Sequence, residues 1–215
     1  MAHNPYTPPT VQVDDVEAKS AFDFSTTLDY SFTPKHLWWA GVCCVLGVVL
    51  TPLYFALVYF AQSMPAIKSI SLATVYVMTA LSIYVYLIFK RLLNQKSGYH
   101  AANLAISLYI VASIVSALTA PLTNGADTSL FNTLLSIGEL VVYGGLAIYL
   151  GIKLLRCEDA LFGQNKQIAY LTLAIGITMV TVVLAPFGIL LTIPLGISMA
   201  IMFFRANKSL IKAQA

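Results

Sequence analysis

Four stretches of this chain contain no Asp, Glu, Lys or Arg: residues 36–67, 69–89, 97–126 and 167–204. A helix that crosses the hydrocarbon core of a bilayer needs about 20 mostly apolar residues, with a range of about 17–25. Each stretch holds at least one such span, and the last has room for two short ones. Residues 128–152 form a further apolar stretch interrupted by a single acid, Glu139.

Composition agrees with this patterning. Of the 215 residues, 59% are hydrophobic and 10% charged, whereas soluble domains carry about 25% charged residues. A charge content this low does not cover a water-facing surface, so lipid is the expected solvent. The net charge of +3 gives no reason to expect a nucleic-acid partner. Cys43, Cys44 and Cys157 have neither metal-ligand spacing nor a CxxC pattern, and read as buried packing residues or free thiols.

The expected fold is all-α: a polytopic transmembrane bundle of about six spans arranged in three hairpins. The spans read Leu37–Gln62, Ile67–Arg91, Tyr99–Ala120, Leu130–Ile152, Ile168–Ala185 and Phe187–Phe204. Trp38 and Trp39 suit an interfacial belt at the start of the first span. Pro65 closes the first connection, and Pro121 stops the third span. Asn124-Gly125 marks a turn, after which Asp127, Thr128 and Ser129 can cap the fourth span. The last two spans meet at Pro186–Gly188, and Pro194 predicts a kink or break within the sixth.

Outside residues 37–204 lie three other segments. Residues 1–20 are polar and Pro-containing and read as a disordered tail. Residues 21–36 alternate apolar with polar groups and read as an extended interfacial segment. Residues 205–215 form a short basic tail. The first 36 residues contain no apolar core of a signal peptide, so the first span is expected to serve as its own insertion signal.

Six spans also sort the positive charge. All 12 Lys and Arg residues except Lys68 then fall on the side that holds both termini. A single crossing within 167–204 would move Arg205, Lys208 and Lys212 to the other side. By the positive-inside rule, both termini are expected in the cytoplasm, in a multi-pass cell-membrane protein.

Glu139 lies nine residues into the fourth span, about 14 Å along a helix rising 1.5 Å per residue. That depth is close to the middle of a core about 30 Å thick. A charged acid there costs about 2.5–3.5 kcal/mol on insertion scales and should face the bundle interior. Asn132, Ser136, Glu139 and Tyr143 share one helical stripe, which is the candidate polar intramembrane site. Thr79, Ser82 and Tyr86 form a similar stripe on the second span. Ala112, Ser116 and Ala120, and Gly138, Gly144, Gly145 and Gly151, read as packing seams of small residues.

His36 and His100 begin the first and third spans and are conceivable haem or metal ligands; without a third ligand they read as interfacial. The sequence contains no P-loop, GxSxG, HExxH or dinucleotide fingerprint. No catalytic residue, metal or cofactor is therefore assigned.

Asn4-Pro5-Tyr6-Thr7-Pro8-Pro9, followed by Val11 and Val13, resembles the N-terminal tag of many uncharacterised bacterial inner-membrane proteins. It is similar to the RDD-type membrane proteins in that tag only, because the Arg and paired Asp residues of their spans are missing here. The resemblance implies a bacterial inner membrane and carries no active site.

Three functional readings follow. The first is a non-enzymatic accessory, scaffold or regulatory component whose partners are the lipid bilayer and another membrane protein or a second copy. An alternative is a small transporter or channel that uses the polar stripe around Glu139. A further alternative is a lipid-modifying enzyme with His36, His100 and the Glu158–Lys166 loop at the cytoplasmic surface. A cavity meeting Glu139 would favour the transporter.

Overall fold

A computed structural model describes residues 33–61, 64–123, 130–157 and 161–214. The N-terminal tail, its Asn-Pro-Tyr tag, most of the interfacial segment, the Asn-Gly turn with its N-caps, and Glu158 and Asp159 lie outside these residues. The described chain is helical: α1 Pro34–Ala61, α2 Pro65–Ser97, α3 Asn103–Thr123, α4 Leu130–Leu155, α5 Asn165–Val180 and α6 Ala185–Gln214.

Local chemistry sets several of these boundaries. Met64 is extended, and Pro65 opens α2, where its missing N–H would have had no partner in any case. Gly98 ends α2 in the left-handed region, with φ 58°, a conformation that glycine adopts without a Cβ clash. Pro186 falls in the first turn of α6 rather than at a hinge. The α5–α6 turn lies earlier, at residues 181–184, because proline is tolerated where a helix begins. Pro121 and Pro194 sit inside α3 and α6, which continue past them. The basic segment after Phe204 continues α6 to Gln214.

Five of the six helices are long and apolar enough to cross a membrane. The protein is a multi-pass membrane protein. α5, with 16 residues, is about 24 Å long at 1.5 Å per residue. It is shorter than the hydrocarbon core and depends on its neighbours. The outer surface is apolar: Leu118, Leu130 and Phe187 are 72%, 77% and 62% exposed. Ser198, Thr172 and Ser113 are buried instead. Lipid accounts for this arrangement and water does not.

Each helix packs against its neighbours in sequence, and α6 returns to α1. The six helices thus form a closed ring. Small residues set its tightest seams. A Cβ on Gly176 would stand 2.7 Å from the Gly144 carbonyl oxygen, and one on Gly144 would stand 2.8 Å from that of Gly176. Gly151 lies against Leu173 and Ala169 in the same α4–α5 seam. Gly138 and Gly145 face open space, so only part of the expected glycine seam packs. On the α1–α6 side, Gly41 receives the Phe204 ring and Gly196 receives Val48.

The hydrophobic core occupies one end of the ring. Leu37, Phe89, Leu92, Ile106, Leu154, Ile168 and Phe203 are fully buried there. They come from the starts of α1, α3 and α5 and the ends of α2, α4 and α6, as expected for antiparallel neighbours. Side-chain bonds tie the same end together. The Tyr99 hydroxyl donates to the Lys153 carbonyl at 2.6 Å, and Arg205 donates to the Phe162 carbonyl at 2.9 Å. Buried Asn165 donates to the carbonyls of Leu154 and Cys157, at 3.2 and 2.9 Å. These carbonyls belong to the end of α4, where the intrahelical ladder runs out, and the Leu154 carbonyl also accepts from the Cys157 N–H at 3.1 Å. Among the described residues, every Lys and Arg except Lys68 lies at or beyond this packed end.

Candidate functional site

Past the packed end lies a partly open cavity of about 390 Å³ with walls from all six helices. Tyr86 approaches Tyr109 with ring centroids 4.8 Å apart, and Tyr109 meets Tyr143 edge-on at 5.4 Å. These three tyrosines form one wall. Thr79 and Ser82, from the stripe recognised on the second span, line the same space. Cys43 and Cys44 also face it and are free thiols. Among the described residues, no Asp, Glu, Lys, Arg or His belongs to the lining.

Four of the cavity hydroxyls are oriented by their own helices. Thr51 donates to the Gly47 carbonyl at 2.8 Å and Ser113 to Tyr109 at 2.9 Å. Thr172 donates to Ile168 at 2.7 Å and Thr192 to Ile189 at 2.6 Å. A hydroxyl has one hydrogen and two lone pairs. With those hydrogens engaged, these groups can offer only acceptor oxygens to the void. The lining as a whole suits an uncharged polar molecule that exchanges hydrogen bonds with hydroxyl groups.

Glu139 sits behind this wall, half-buried between α3 and α4. Ser116 donates to its Oε2 at 3.1 Å, and Thr119 hydrogen-bonds to Oε1. Ser116 and Tyr143 line the central cavity and also a second, outer groove of about 520 Å³. Glu139 lines only the groove. The acid is therefore one side chain away from the cavity and does not open into it.

The expected stripe divides. Glu139 and Tyr143 enter the polar arrangement, whereas Asn132 and Ser136 line neither space. The Ser136 hydroxyl turns back onto the Asn132 carbonyl at 3.0 Å, the local bond that serine readily makes in a helix. Ser116, read from the sequence as a packing residue, is instead the donor that joins α3 to Glu139. Tyr109 and Ser113 were not singled out, although Tyr109, Ser113 and Ser116 repeat at i, i+4 and i+7, the spacing that marked the stripe on α4.

The histidines make local bonds. His36 Nδ1 is 2.9 Å from the Thr33 hydroxyl, and His100 Nδ1 is 3.4 Å from Asn103 Nδ2. Among the described residues, no group of three or more His, Cys, Asp or Glu side chains is placed to hold a metal. Burial pushes the Tyr99 phenol above its ordinary value, with Cys157 adding to the shift and Arg156 opposing it. The phenol keeps the hydrogen that it donates to Lys153. Compared with family models, curated proteins and solved structures, the chain finds no match.

Proposed function

We propose that this protein is a small membrane carrier or channel whose cargo is an uncharged, hydrogen-bonding molecule seated in the central cavity. The observation that carries this reading is the void itself: about 390 Å³, bounded by all six helices, rich in hydroxyl groups and without a charged lining residue. Its size falls at the lower end of small-molecule sites, which run about 300–1,000 Å³. An accessory or scaffold needs no such interior. Close packing of the same helices would bury more apolar area, so a hydroxyl-lined cavity between them favours the carrier.

The packed, basic end is taken to face the cytoplasm of a bacterial inner membrane. The distribution of Lys and Arg supports this orientation, and the Asn-Pro-Tyr tag supports the bacterial membrane. Alkaline phosphatase and green fluorescent protein fusions at the α1–α2 connection and after α6 would report the two sides.

Osmotic re-swelling of proteoliposomes tests the carrier. Vesicles containing the protein should admit urea, glycerol or erythritol faster than lipid-only vesicles, and Ser82→Phe should slow that entry. Equal rates with and without protein for all three solutes would refute the reading.

A further inference from the structure

We infer that the groove between α3 and α4 is a second binding site, open to the lipid, for a lipophilic amine whose cationic head pairs with Glu139. The walls of the groove are apolar, with Leu108, Val111 and Val115 on one side and Leu134, Val142 and Leu146 on the other. Five of these six are more than 40% exposed on the outer face. The groove is therefore open along the surface that meets hydrocarbon.

Its floor is different. Among the described residues, Glu139 is the only carboxylic acid of the lining, which has no Lys, Arg or His; Ser116 and Tyr143 lie beside it. Both carboxyl oxygens already take part in hydroxyl hydrogen bonds from α3, and a carboxylate oxygen has a second lone pair available. Among the described residues, no Lys, Arg or His forms an ion pair with Glu139. The acid has hydrogen-bond donors from the protein but no counter-charge.

Charge complementarity selects the occupant. A proton alone would neutralise the acid but has no use for a groove of about 520 Å³. A bilayer phospholipid keeps its head at the interface, roughly 14 Å from this depth at 1.5 Å per residue. A single-chain amine can draw its head down to the acid while its apolar body replaces lipid along the walls. The site is independent of the central cavity and would stand if the cavity carried nothing.

Dodecylamine binding to the full chain in lipid nanodiscs tests this site, with empty nanodiscs as background. Saturable binding is expected. Dodecanol, which has the same body without the charge, should compete at least about tenfold more weakly, the scale of one charge-assisted hydrogen bond. Glu139→Gln should weaken dodecylamine by a similar factor. Val142→Trp, which fills the groove and leaves the acid in place, should also abolish binding, and being lipid-facing it guards against misfolding of the first variant. Equal competition by dodecanol, or unchanged binding in folded Glu139→Gln or Val142→Trp protein, would overturn the assignment.

Discussion

The Ser116 hydroxyl on α3 donates to Glu139 Oε2 on α4 across 3.1 Å. This bond fastens an acid between two helices at mid-membrane depth. An interhelical hydrogen bond in a membrane protein contributes about 0.6 kcal/mol on average, while an unpaired acid at this depth costs about 2.5–3.5 kcal/mol. With Thr119 as a second donor, the two bonds together still return less than the acid costs. Glu139→Leu should raise the thermal midpoint of the detergent-solubilised protein, and Ser116→Ala should lower it only slightly. A lower midpoint for Glu139→Leu would identify Glu139 as a structural clamp.

Glycines of α4 and α5 provide an internal comparison. Gly176→Ala places a methyl 2.7 Å from the Gly144 carbonyl oxygen, and overpacking of this kind costs about 1–3 kcal/mol. Gly145→Ala meets nothing within 4 Å and gains about 1 kcal/mol of helix propensity. Melting curves of the two variants should therefore shift in opposite directions.

Asn165→Leu removes the buried amide that donates to the Leu154 and Cys157 carbonyls at the end of α4, while the Leu154 carbonyl keeps the Cys157 N–H. The expected loss is about 1–3 kcal/mol. Urea or heat unfolding followed by circular dichroism would measure it. An unchanged transition would mean that α4 closes without this cap.

Tyr99 makes stability sensitive to alkali. Its phenol has a folded-state value above the ordinary one, which is about 10. The unfolded chain therefore releases this proton first as pH rises. The contribution is complete below about pH 10 and is lost as pH climbs through the folded-state value. Tyr99→Phe lacks the bond to Lys153 and should be less stable by about 0.5–1.5 kcal/mol at neutral pH. It should also show a shallower decline above pH 10 in thermal scans. Parallel declines for both proteins would exclude Tyr99 as the source.

The helices were legible in the sequence because charge exclusion acts over whole segments. The uncharged stretch from 97 to 126 became α3, and the break near Pro186 was displaced only to residues 181–184. Glu139 could be placed by depth alone, since rise per residue is fixed. The partners of Glu139 were not legible, because periodicity assigns a face to each helix but does not say which face meets which. Ser116 looked like a spacer until α3 was set beside α4. The central void was hidden for the same reason: Tyr86, Tyr109 and Tyr143 lie on three different helices and come together only when the ring closes.

The packing is lopsided, and in the proposed carrier this would restrict traffic. Phe89, Leu92, Ile106 and Phe203 belong to the buried core at the basic end and plug the ring between the void and the lysine-rich surface. A solute held above that plug has no exit through it in this conformation. Crossing would require α2, α3 and α6 to separate at their Leu92, Ile106 and Phe203 contacts. A cross-link from a cysteine pair built across that plug would lock the door while leaving the chamber able to fill.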